Sequence, residues 1–149
     1  MRDMSLHVMD IAENSIRAGA RQVTVRVDER RRSDQLVVVI EDDGAGMDSR
    51  SASQALYPFF TSVPGKRVGL GLPLFLQAAR EAGGGLSIDS APGRGTRITA
   101  VFALSHPDLK PLGDMEKTMR ILRCAHPAVE FRYSHTVDGE QGVKHEDHA

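Results

Sequence analysis

Three glycine-bearing segments decide how this chain is read: EDDGAGM at residues 41–47, YPFFTSVPGKRVGLGLPLF at residues 57–75 and SAPGRGTRITAVF at residues 90–102. A short helical pattern, a polar loop and a longer helical pattern separate them. Clustered glycines let backbone come close to a ligand, and helix starts expose N–H groups that attract anions. The layout points first to a site for a phosphorylated ligand.

Upstream of the first segment, residues 36–40 are five consecutive β-favouring apolar residues, which predicts a central strand buried on both faces. The polar turn ERRRSD joins it to QVTVRVD, residues 22–28, whose alternation predicts a half-buried strand. The two strands are expected to form a hairpin. Asp42 then stands at the end of a buried strand, beside Gly44 and Gly46. An ordinary turn has the same composition, so the wider pattern must decide its role. Residues 3–18 read as a helix with Val8, Met9, Ala12 and Ile16 on one side. His7, Asp10, Asn14 and Arg17 recur at helical spacing along an opposite stripe. That stripe is either a solvated polar face or the acid, amide and base that a metal-bound triphosphate requires.

Downstream, residues 49–56 read as a short helix running into Tyr57, Pro58, Phe59 and Phe60. Residues 61–68 read as a lid that presents Lys66 and Arg67 to phosphates. Gly69, Leu70, Gly71 and Leu72 open a helix to about residue 82, whose free N–H groups and dipole suit an anion. A strand at residues 86–90, a turn at 91–95 and a strand at 97–104 complete this part. Beyond it, Asp114 is expected to cap a helix over residues 115–124, with Met115, Met119 and Leu122 on one face. AVEFRYSHTV then alternates as a strand. The expected organisation is a main domain over residues 1–104, an appended helix-strand unit over 105–136 packed on the main sheet or its edge, and a polar, disordered tail over 137–149. The alternative for the unit is an apolar face or strand edge that binds a partner or a second copy of the chain.

Composition narrows the function classes. The 149 residues are 40% hydrophobic and 26% charged, as in one ordinary globular domain. A net charge of -1 leaves no electrostatic footprint for nucleic acid, and the basic run Arg30, Arg31 and Arg32 falls in a hairpin turn. The lone Cys124 excludes an internal disulfide, and His126, His135, His145 and His148 have no metal-ligand spacing. No stretch reaches membrane-spanning length, and MRDMSLHVMDIAENS carries acids where a signal peptide is apolar. A cytoplasmic protein without membrane contact is expected.

Taken in order, the segments resemble the ATP-binding domain of the GHKL superfamily, which unites gyrase, a heat-shock chaperone, sensor histidine kinases and mismatch-repair ATPases. DIAENSIRAGA resembles the family's asparagine-bearing first helix, with wording closest to the mismatch-repair branch. DDGAGM matches the first glycine box, while YPFFTS, GLGL and SAPGRGTRITAVF match the aromatic, second glycine and last boxes in kinase style. The resemblance implies a two-layer α/β sandwich, a Bergerat fold with a mixed sheet and helices on one face, that binds ATP with Mg²⁺. It implies Asn14 as a Mg²⁺ ligand and Arg17 as a phosphate contact. Asp42 would accept a hydrogen bond from the adenine amino group, with Gly44 and Gly46 leaving room for the ring and Thr96 supporting the contact through water. Gly69 and Gly71, with Leu70 and Leu72 beside them, would cradle the phosphates under Lys66 or Arg67.

This chain departs from the family at one chemical position. Asp10 stands where the mismatch-repair and gyrase branches carry a water-activating glutamate. Glu13 points about 100° away from Asn14 around the helix and reads as structural. Neither the lysine-bearing second domain of those ATPases nor the phosphoacceptor helices of a sensor kinase are found in the sequence. The expectation is a stand-alone phosphotransferase passing the γ-phosphoryl to a separate protein acceptor. The alternatives are a weak ATPase relying on Asp10 and a non-catalytic, ATP-gated binding module; a homodimer is compatible with each.

Overall fold

The computed structural model describes residues 3–57 and 71–141. Phe59, Phe60 and the expected lid, with Lys66, Arg67, Gly69 and Leu70, lie outside the described residues, as do His145 and His148. Helix α1 (Met4–Arg17) leads into the hairpin β1 (Gln22–Arg30) and β2 (Gln35–Asp42). Helices α2 (Ser49–Leu56) and α3 (Gly71–Glu81) follow, then β3 (Gly85–Ser90) and β4 (Thr96–Ala103). Helix α4 (Met115–Ala125), β5 (Glu130–Val137) and the short β6 (Glu140–Gln141) complete the described chain.

The strands form one mixed sheet in the order β3-β4-β2-β1-β5-β6, antiparallel except where β5 lies parallel to β1. Its register decides which side chains meet. Val25 of β1, Ile40 of β2, Ile98 of β4 and Tyr133 of β5 fall in one row, and alternate residues of each strand share that face. The core forms there, where α1, α3 and α4 pack on the sheet; Val8, Ile11, Phe75, Phe102 and Leu122 are buried in it. This is the α+β two-layer arrangement that the sequence predicts.

Two expectations are corrected. β2 is flanked on both sides, but Val39 is only half-buried, and Val37, though buried, lies outside the core cluster. Among the described residues helices cover one face of the sheet, so there the apolar run of β2 does not sit between two layers. On the other face Glu41 instead pairs with Arg26 at 2.9 Å and Arg97 at 2.6 Å. The second correction concerns His7, which is 2% exposed and stacked on Phe75 with ring centroids 5.5 Å apart. α3 covers that part of α1, so His7 leaves the polar stripe and joins the packing.

A parallel strand needs a long crossover, and the connector with α4 supplies it between β4 and β5. Asp114 caps α4, its Oδ1 accepting from Lys117 N at 3.0 Å. Met115, Met119, Leu122 and Phe131 are buried in the same cluster as α1 and β1. Met119, 1% exposed, is therefore a test of this shared core. Met119→Ala is expected to destabilise the whole fold by about 2–5 kcal/mol in a single urea transition; a separate early transition for the C-terminal residues would contradict it.

Candidate functional site

The site grows from the end of β2. Asp42 and Thr96 are register partners in neighbouring strands, which puts both side chains on the helix-covered face. Asp42 Oδ2 accepts from Ser15 Oγ of α1 at 2.6 Å, and Oδ1 accepts from the N–H of Gly44 at 2.8 Å. Both oxygens are thus oriented by groups on different elements. The neighbouring Asp43 is used differently: its Oδ1 accepts from the N–H groups of Arg21 at 2.8 Å and Gln22 at 2.9 Å. The Gln22 bond, followed by that of Arg21, holds its carboxyl below the usual range. Asp43 ties the α1–β1 turn, which leaves Asp42 as the acid of this pair that faces the cavity.

That cavity has a volume of about 220 Å³. Ile11, Leu72 and Ile98 give it apolar walls, while Asn14, Ser15, Asp42 and Thr96 supply its polar groups. An apolar slot with a few convergent polar atoms is what a flat heteroaromatic ring needs. Gly46 also lines it, with φ +74°, and a Cβ there would stand 2.0 Å from the carbonyl oxygen of Ala91. Glycine at this position therefore lets the loop after β2 press on the β3–β4 turn. Ser90 fixes the same junction: its Oγ accepts from Met47 N at 2.8 Å, donates to Gly95 O at 2.9 Å and lies 2.8 Å from Thr96 Oγ1.

Along α1, Asn14 reaches the cavity and Oδ1 of Asn14 accepts from Nη2 of Arg17, so the amide and the base of the stripe meet. Asp10, one turn earlier, lies against the first residue of α3. A Cβ on Gly71 would stand 2.5 Å from Cβ of Asp10, so glycine permits this close crossing of the helices. The carboxylate is thereby set within the field of the helix N-terminus. Leu72, 6% exposed, continues from Gly71 into the cavity wall. The described structure thus brings Asn14, Asp42, Gly46, Leu72 and Thr96 around one cavity, with Gly44 anchoring Asp42, Arg17 on Asn14, and Asp10 with Gly71 at the helix crossing. Sequence reasoning missed Ser15 and Ser90. Ser15 follows Asn14 in the last turn of α1 and is buried at 4% exposure, a position at which a hydroxyl can reach the end of the adjoining strand; Ser90 carries no comparable signal.

Among the described residues, no three His, Cys, Asp or Glu side chains come together as a metal cage. Mg²⁺ keeps several waters and leans on substrate phosphates, so the one amide that Asn14 brings to the cavity is a ligand of the right chemistry for it.

The family described as histidine kinase-, DNA gyrase B-, and HSP90-like ATPase matches residues 2–106. A putative sensor protein of Shewanella frigidimarina is 31% identical over 103 residues, 68% of this chain and 16% of that protein. Sporulation kinase C of Bacillus subtilis is 31% identical over 96 residues, 64% of this chain and 22% of that kinase. The sensor protein kinase FleS of Pseudomonas aeruginosa is 35% identical over 98 residues, 65% of this chain and 24% of that protein. The matches thus span less than a quarter of each of these relatives. The Aquifex aeolicus MutL ATPase domain complexed with ADP superposes with a TM-score of 0.49 at 15% identity, covering 95% of this chain and 62% of that one.

Proposed function

Since this chain belongs to the histidine kinase-, DNA gyrase B- and HSP90-like ATPases, we propose that its cavity binds ATP with Mg²⁺ and serves transfer of the γ-phosphoryl to an acceptor on another protein. The observation that carries the nucleotide reading is Asp42, whose two oxygens are pre-oriented by Ser15 and Gly44 at the polar end of an apolar slot. In this reading the adenine amino group donates to Asp42, and Thr96 supports that end of the ring. Asn14 and Arg17 face the phosphates, the amide holding Mg²⁺ and the guanidinium neutralising charge. When bound, Mg²⁺ would neutralise the negative charge of the phosphate oxygens. The proposal extends to Lys66, Arg67, Gly69, Leu70 and Gly71 as the remaining phosphate contacts.

Two things support phosphotransfer: the kinase-style boxes of the sequence, and the kinase names carried by its relatives. Transfer asks this domain chiefly for positioning and charge stabilisation, while the acceptor hydroxyl or imidazole comes from elsewhere. No described helix is long and apolar enough to cross a membrane, and a cytoplasmic setting belongs to the proposal. Asp10 favours one second reading, slow hydrolysis, because its carboxylate lies at the start of α3 where it can orient a water.

Incubation with γ-labelled ATP and Mg²⁺, with and without lysate from the source organism, separates these readings. A labelled lysate protein whose label disappears with Asp42→Asn is expected. Phosphate released by the purified chain, and lost in Asp10→Asn, would favour hydrolysis instead. ATP binding with neither product would leave a nucleotide-gated binding module.

A further inference from the structure

Residues 107–141 lie beyond the family match, yet they hold α1 at both ends. At its start, the N–H groups of Met4 and Ser5 donate to the carbonyls of Pro111 and Leu112, each at 2.9 Å. These are donors that a helix N-terminus leaves without intrahelical partners. The side chain of Asp3 does not cap α1, so the connector carbonyls do that work. Gly113 follows with φ +83°, a backbone conformation that favours glycine, and a Cβ there would stand 2.5 Å from Ser5 Oγ, so a side chain would have to push that of Ser5 aside. Toward the other end, His126 Nε2 lies 3.2 Å from both carboxylate oxygens of Glu13. His126 is itself fixed, its N–H donating to Leu122 O at 2.9 Å and its carbonyl accepting from Val129 N at 3.0 Å. The imidazole is therefore carried by the end of α4 and the lead into β5.

Glu13 opens the last turn of α1, the turn that also carries Asn14, Ser15 and Arg17. Helix ends are the first parts of a helix to open. We infer that Glu13 and His126 are positioning residues, and that their contact holds this turn against the cavity so that residues 107–141 set the affinity for ATP with Mg²⁺. The inference rests on the nucleotide reading above. Coupling of this kind is reciprocal, so ATP with Mg²⁺ strengthens the contact in return.

The test is a double-mutant cycle in the full chain with Glu13→Gln, His126→Ala and the pair, reading the Kd of ATP with and without Mg²⁺ and the thermal midpoint. Each single change is expected to raise the Kd with Mg²⁺ roughly threefold to fivefold, as loss of a partly exposed pair does. The double variant is expected to be no weaker than the singles, and the effect without Mg²⁺ to be smaller. Amide exchange near His126 is expected to slow on adding ATP with Mg²⁺ in the wild type but not in Glu13→Gln. Variants that melt earlier yet keep the wild-type Kd would show a merely structural contact and overturn the inference. A wild-type chain that binds no adenine nucleotide would instead overturn the reading beneath it, so the two failures are distinct.

Discussion

Asp42→Asn is expected to weaken ATP binding by a hundredfold or more, about 3 kcal/mol, while leaving the fold intact. The fold tolerates the change because both present partners of Asp42 can be kept. Gly44 N–H still finds the amide oxygen, and the Ser15 hydroxyl, now a donor, can rotate to accept from the new NH₂ group. Binding does not tolerate it. The amide turns a donor toward the adenine amino group where the carboxylate offered an acceptor, so two donors meet at the polar end of the slot and a charge-assisted bond is lost. Calorimetric titration with circular dichroism reads both halves; unchanged affinity would remove Asp42 from the adenine site.

Asn14→Ala is expected to take away the stimulation of ATP binding by Mg²⁺, at a cost of at least about tenfold in apparent metal affinity. Binding without Mg²⁺ should change little, since the apolar walls and Asp42 are untouched. Arg17 also loses the amide it now contacts, which frees its guanidinium for the phosphates. The Mg²⁺ effect is therefore the diagnostic quantity, and total affinity is not. A variant whose ATP affinity still rises with Mg²⁺ as in the wild type would exclude Asn14 as the metal ligand.

Much of this arrangement was legible in the sequence because its signals are local. The alternation of QVTVRVD, the polar turn after it and the acid of Asp114 before a helix each name a structure built from neighbouring residues. Asp42 was legible through the order of the three glycine segments, which brings β2 and the β3–β4 turn to one end of the sheet. The misses share another cause. A helical wheel assumes one covered face, but α1 is covered both by the sheet and by α3, and His7 lies under the second cover. Apolar runs likewise do not say how many layers a sheet has, so β2 read as doubly buried. Glu13 and His126, 113 residues apart, read separately as a structural acid and a histidine without ligand partners. Only the crossover that places β5 parallel to β1 brings them together.

An adenine site at Asp42 is tested by calorimetric titration of the wild-type chain with ATP and with GTP in the presence of Mg²⁺. Guanine presents a carbonyl acceptor where adenine presents its amino donor, so Asp42 would face another acceptor with no proton to share between them. Saturable binding of ATP and at least about a hundredfold weaker binding of GTP are expected. Equal affinity for the two nucleotides, or binding of neither, would contradict it.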